Sequence, residues 1–282
     1  MTARAVASIV ADLVALGVRP GDTLMVHASM RALGPIDGGA LGLIDALDRA
    51  VADDGTLLMN LGADDPWSWV NDRPEREREA ALADAPPFDS ATVPAEPDIG
   101  VLAEVFRTAA GTVVNGHPEG RFGARGARAH ELVADPPWDD YYGPGSPLER
   151  LSRAGGKVLR LGADLDTITL LHYAEYVTAV PDKRRVTRHR RIATPNGPVI
   201  RTISCLDDSN GIVDRRNVDS NDDVDSNDDR GNDAEDYFIS ITRDALAADL
   251  ATVGSVGDAT AELFDATELV AFASDWMHRH LA

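Results

Sequence analysis

The stretch Thr23–Leu61, TLMVHASMRALGPIDGGALGLIDALDRAVADDGTLLMNL, decides the fold. TLMVH (23–27) is a short apolar run and predicts a buried strand, ASMRALG a loop, and Leu41 to Ala52 a helix. DDG (53–55) turns the chain into TLLMNL (56–61), a second buried strand. Strand, loop, helix and strand in that order form a βαβ unit, which implies parallel pairing with ligand loops at the strand ends.

Working outward, residues 3–17 predict a first helix with Val6, Ile9, Val10, Leu13 and Leu16 as its apolar stripe. Arg4 and Asp12 interrupt that run and no cleavage site follows, so it reads as neither signal peptide nor membrane span. Residues 62–98, rich in Pro, Asp and Trp, predict a long irregular segment with at most a short exposed helix at PEREREA. Helices are expected at 100–109 and 127–134, with a strand near TVV (112–114) between them. PPWDDYYGPGSP (136–147) is a loop, LERLSRAG a short helix and KVLRLGA (157–163) a buried strand. Residues 185–193 and 198–206 predict a β-hairpin closed by Pro195-Asn196-Gly197. Two helices, near 234–250 and 266–281, close the chain, with Trp276 and Leu281 packing inward.

GADLDTITLLHYAEYVTAVP (162–181) has Ile168, Leu171, Ala174, Tyr176 and Val177 at mixed three- and four-residue spacings, as on a buried helix. Asp166 or Thr167 is the expected N-cap and Pro181 prevents continuation past Val180. On that helix His172 and Glu175 share a face one turn apart, with Thr169 one turn before His172. An imidazole braced by a carboxylate can take a proton from a nucleophile near neutral pH; from the spacing alone a packed histidine and a solvated glutamate are the commoner reading, since such pairs are frequent on helices.

The net charge of -20 argues against nucleic acid, whose phosphates require cationic neutralisation, and would draw small cations into an acidic cleft. The single cysteine, Cys205, excludes an internal disulfide, fits a reducing cytoplasm and reads as a small core residue. VDSNDD occurs twice, at 218–223 and 224–229, inside an acidic insertion at 215–233 read as solvated chain. Asp225, Asn227 and Asp229 stand at EF-hand positions, but Arg230 replaces the required glycine and no flanking helix pair is evident, so calcium is rejected. KRRVTRHRR (183–191) must pair with the chain's own carboxylates or face a polyanion such as a nucleotide phosphate. GPGSP (143–147) is no nucleophile elbow, and HExxH and CxxC are absent; no metal is expected.

LGVRPGDTLMVHASMRALGPIDGG, DALDRAVADDGTLLM, PPFDSATVPAEPDIG, the GHP loop, YGPGSPLERL, GKVLRLGADLDTITLLHYAE, the KRRV run and DDSNGIVD stand in an order that resembles the aminoglycoside N3-acetyltransferase family. The resemblance covers nearly the whole chain. It implies one acetyltransferase domain over 1–282: a three-layer α/β/α fold with a mostly parallel central sheet and a β-hairpin extension, unlike GCN5-related acetyltransferases. It also implies acetyl-CoA as donor, the 3-amino group of a 2-deoxystreptamine ring as acceptor, and a cytoplasmic monomer or homodimer. By position, His172 is the implied base, Glu175 its partner and Thr169 the hydroxyl near the thioester carbonyl. His27, Ala28, Ser29, Met30 and Arg31, with Ser146, are the implied grip on CoA. Asp65, Tyr142, Asp208 and Asn210 are the implied lining of the antibiotic pocket. Arg121 stands where the family usually has a small hydroxyl residue, and the VDSNDD repeats lengthen the acidic loop. Two other readings remain: acetylation of a different amine in a biosynthetic pathway, and a non-catalytic acidic binding module.

Overall fold

The computed structural model describes residues 2–213 and 233–282. In chain order the elements are α1 (Val6–Leu16), β1 (Thr23–Ala28), α2 (Met30–Leu33), α3 (Gly39–Val51), β2 (Thr56–Asn60), α4 (Glu75–Leu82) and α5 (Val101–Thr108). Then come β3 (Val113–Val114), β4 (Phe122–Gly126), α6 (Ala129–Val133), α7 (Pro147–Arg153), β5 (Lys157–Leu161) and α8 (Leu170–Val177). The chain ends with β6 (Arg185–Ile192), β7 (Val199–Leu206), α9 (Asp233–Ala247), β8 (Ala251–Val256), β9 (Ala259–Asp265) and α10 (Ala266–Leu281).

Seven strands form the main sheet in the order β3-β4-β2-β1-β5-β9-β8, and β6-β7 form a separate two-stranded ribbon. β1 pairs in parallel with β2 on one side and β5 on the other, as the βαβ reading requires. The flanking pairs are antiparallel, yet five of the seven strands run in one direction, with β4 and β9 reversed. Leu24, Met25, Leu57, Leu58, Val158 and Leu159 are fully buried, as expected of strands covered on both faces. One apolar cluster joins Leu24, Leu57 and Leu159 to the helices α1, α3 and α5. The other joins Met25, Leu58 and Val158 to α6, α7, α8 and α10. Each such leucine contributes about 1.5–3 kcal/mol by leaving water, so the sheet and its two helical layers hold together chiefly by burial.

The structure differs from the sequence expectation at three strands. β4 lies in the stretch 115–126, for which the sequence predicts no strand; Gly123 is there because a Cβ would come within 3.1 Å of Leu61 and 3.3 Å of Phe106. β8 and β9 form a hairpin across the turn Gly257-Asp258, and β9 extends the sheet by pairing with β5. Neither strand announces itself by strong alternation, because ATVGSV has a single buried residue while ATAELFD is mostly buried. The insertion at 215–233 and its VDSNDD repeats lie outside the described residues, apart from Asp233 at the start of α9.

The helix carrying His172 is shorter than expected. Thr169, in helical conformation and without a side-chain cap bond, precedes Leu170; Asp166 and Thr167 stand outside. Thr167 instead bonds back to the Asp164 carbonyl at 2.8 Å, closing a local turn before the helix can start. The helix stops at Val177, where Thr178 leaves helical geometry and its hydroxyl returns to the Ala174 carbonyl at 2.6 Å.

Candidate active site

Three features converge beyond the carboxyl ends of β2 and β5, the usual ligand crevice of such sheets. They are the segment Gly62–Asp65 after β2, the helix α8 after β5, and the ribbon β6-β7. Between them opens a cleft of about 980 Å³. Nine acidic residues and four arginines line it, so it favours a cation over an anion.

At its inner end His172 Nδ1 lies 2.7 Å from Glu175 Oε2. Glu175 is 1 % exposed, and its second oxygen accepts the hydroxyl of Tyr237. An ionised carboxylate only accepts, so Nδ1 carries a hydrogen and Nε2 holds the free lone pair. The ring of Tyr142 stacks on the imidazole at 5.0 Å and 11°, and Phe238 closes the other side at 4.8 Å. Burial pulls the His172 pKa down, but the charge and hydrogen bond of Glu175, helped by Asp208, outweigh it and the net shift is upward. Thr169 is buried and its carbonyl accepts the His172 amide at 3.1 Å.

The cationic run resolves in favour of pairing with the chain's own carboxylates. Arg188 donates to Tyr141 Oη at 2.6 Å, Glu119 at 3.1 Å, Ser209 Oγ at 2.8 Å and the Asp208 carboxylate. Arg190 pairs with Asp65 and Glu119, and Arg185 with Asp140 at 2.7 Å. Burial pushes the Glu119 carboxyl up to about 7 against the pull of Arg188, so its charge depends on the guanidinia beside it. Burial likewise raises Asp208, but Arg188, His172 and Tyr141 together hold it below its ordinary value. Asn210 sits at the rim, its side-chain amide 3.2 Å from Asp207. Of the four residues implied for the antibiotic pocket, Asp65, Tyr142, Asp208 and Asn210, all line this cleft.

The implied CoA loop lies elsewhere. His27, Ala28, Ser29 and Met30 are half-buried and Arg31 is exposed at the end of β1. Ser29 caps α2 by accepting the Ala32 amide at 3.3 Å, and its own amide donates to Leu161 at 3.0 Å. Ala32 packs so closely on Gly162 that a Cβ there would come within 2.6 Å, which ties this loop to the chain entering α8. Burial, then the charge of Arg160, lowers the His27 pKa to about 4, and its Nε2 is buried without a hydrogen-bond partner. Ser146 is fully buried and spends its hydroxyl on the Tyr142 carbonyl (3.1 Å) and the Glu149 amide (3.2 Å). It caps α7 and has no open face for a ligand.

Arg121 also takes a structural place. It is fully buried and donates to the carbonyls of Ser90 (2.5 Å), Val93 (2.9 Å), Pro94 (3.1 Å) and Gly62 (3.3 Å). It thereby stitches the ends of the irregular 62–98 segment to β4. Cys205 is buried and its thiol is pushed up to about 12 by burial, as a core residue rather than a nucleophile. Tyr237, Phe238, Glu119 and Tyr141 escaped the sequence reading. Only the density of the 183–191 run signalled the arginine partners of Glu119 and Tyr141, since these contacts join residues as far as 71 positions apart; Tyr237 and Phe238 reach Glu175 and His172 with no such signal.

Among the described residues no group of three or more His, Cys, Asp or Glu is placed to hold a metal ion. No helix among them is long and apolar enough to cross a membrane.

The α/β fold carries a histidine–glutamate pair at the end of an acidic cleft, and the relatives that share the fold make it an enzyme of the transferase class. A family model described as aminoglycoside 3-N-acetyltransferase matches residues 25–278, and the chain belongs to that family. It is 39% identical over 274 residues to aminoglycoside N(3)-acetyltransferase VIII of Streptomyces fradiae, covering 97% of this chain and 91% of the relative. The solved structure of AAC-IIIb in binary complex with CoASH superposes with a TM-score of 0.87 at 36% identity, covering 100% of this chain and 98% of that one. The room-temperature structure of sisomicin-bound AAC-VIa gives a TM-score of 0.87 at 36% identity, with 100% of both chains covered.

Proposed function

We propose that this chain transfers the acetyl group of acetyl-CoA to the 3-amino group of the 2-deoxystreptamine ring of an aminoglycoside, conferring resistance, with His172 as general base. One observation carries the reading: in a member of this family, an imidazole bonded at 2.7 Å to a buried carboxylate opens onto a cleft rich in carboxylates. The cleft attracts a polycation but also keeps its amines protonated, so a base beside the reacting nitrogen is required. Through Nε2, His172 accepts the amine proton; through Nδ1–H it leans on Glu175, which stabilises the imidazolium as it forms. Tyr142 and Phe238 fix the ring plane.

The loop Ser29–Arg31 at the end of β1, with the exposed Arg31 guanidinium, is assigned to the anionic end of the donor. When bound there, acetyl-CoA supplies an activated thioester. Thr169, buried at the start of α8, is assigned to the carbonyl end of that thioester. Transfer is direct: Cys205 is buried with a raised pKa and Ser146 is enclosed, so neither serves as an acyl carrier.

The test is thiol release from acetyl-CoA across a panel of aminoglycosides, some lacking the 3-amine. Release confined to acceptors bearing that amine is expected. Equal release with acceptors lacking it, or release only with unrelated amines, overturns the reading.

A further inference from the structure

Arg188 and Arg190 are two apart on β6 and therefore project from the same face of the ribbon, into the cleft. Their guanidinia occupy three of the carboxylates that line the cleft, Asp65, Glu119 and Asp208. Arg188 is wedged between Glu119 and Asp208, with side-chain exposures of 15%, 8% and 13% in that order. Arg190 closes the far side of Glu119 and takes Asp65. A guanidinium stays charged at every working pH and matches carboxylates with a rigid fork, so this neutralisation is permanent.

We propose that Arg188 is a specificity-determining residue: an internal counter-cation that withholds Asp208 and Glu119 from the acceptor's ammonium groups next to His172. The proposal rests on the acceptor being a polyamine, as argued above. A carboxylate in direct contact with the reacting amine binds it more tightly but also stabilises its protonated form. By holding Asp208, Arg188 leaves the reacting amine near His172 less firmly protonated, while carboxylates without an arginine partner among the described residues, such as Asp64 and Asp98, stay open to the remaining amines. The same guanidinium opposes the upward influence of Asp208 on His172. The groups facing this point are Glu96, Glu119, Tyr141, Asp208, Ser209 and Arg190 on the Arg188 side, with Glu175, Tyr237 and Tyr142 around His172.

Two variants should move acceptor affinity in opposite directions. Arg188→Met frees Asp208, so KM for a polycationic acceptor should fall roughly tenfold, the scale of one charge-assisted contact. Its kcat at pH 7 should fall as well, recovering as the pH is raised, and Arg188→Lys should restore both values toward the parent. Glu119→Gln leaves the two arginines in excess, so KM should rise by a similar factor with the acid limb of kcat displaced to lower pH. Calorimetric binding of the acceptor, without acetyl-CoA, reads the affinity change apart from chemistry. Should Arg188→Met fail to fold, Glu119→Gln carries the sign test alone. An acceptor KM that rises in Arg188→Met, or is unchanged in a folded Glu119→Gln, overturns the proposal. A parent enzyme that acetylates no polyamine overturns the functional reading instead.

Discussion

His172 Nδ1 and Glu175 Oε2 stand 2.7 Å apart within one turn of α8, and the carboxylate they share with Tyr237 is almost wholly removed from solvent. A neutral imidazole in that position has its tautomer chosen for it. His172→Ala should therefore lose roughly 10²-fold or more in kcat with little change in acceptor KM, within the range of a general base. Steady-state kinetics on a variant with the parent circular dichroism spectrum checks this; near-parent turnover would remove the mechanism.

Glu175→Gln keeps the shape but removes the charge that lifts His172. The expected result is a kcat lower by roughly 10-fold, because the imidazolium loses its stabilising partner. The acid limb of the pH profile should move downward at the same time. An unchanged limb would show that Glu175 does not act on the base.

The pH dependence has a definite sign. Against the downward pull of burial, the Glu175 interaction raises His172 above its ordinary 6.5, so the base is available only above that value. In the parent, log kcat against pH should climb with a midpoint above 6.5. Stability runs the other way: the contribution of a raised histidine is fully present below about 6.5, the unfolded value, and is lost as pH rises through the folded pKa. The melting-temperature difference between the parent and His172→Gln should shrink across that window.

Arg121→Met should destabilise the fold by about 2–4 kcal/mol, since a buried group holding several carbonyls is lost and those carbonyls are left without a donor. Because Gly62 is among them, the cleft wall at Gly62–Asp65 should loosen and acceptor KM should rise. Chemical denaturation and kinetics on one preparation measure both; parent stability would mean that the 62–98 segment is held by other contacts.

Deletion of 218–229 should leave acetyl transfer intact, and calcium should leave the melting temperature of the parent unchanged. Loss of activity on deletion, or a calcium-induced rise in melting temperature, would give these repeats a role in the enzyme.

Local order was legible because it is written in short spacings. The βαβ unit, the α8 helix, the His172–Glu175 pair and the β6-β7 hairpin each follow from residues within a few positions of one another or from a turn signal such as Asn196-Gly197. The strands β4, β8 and β9 were not legible: glycines and small residues weaken their alternation, and they exist because β2 and β5 offer them an edge.

By itself the sequence determined that this is an α/β chain, strongly acidic, with an imidazole and a carboxylate on one helical face. Only the tertiary structure decided that Tyr237 braces Glu175 from 62 residues away, that Arg121 serves the 62–98 segment, and that Arg188 and Arg190 neutralise the floor of the cleft. The reason is physical: periodicity fixes which face a side chain occupies, whereas the partner of a buried charge is chosen by whichever distant group the packing brings within hydrogen-bond reach.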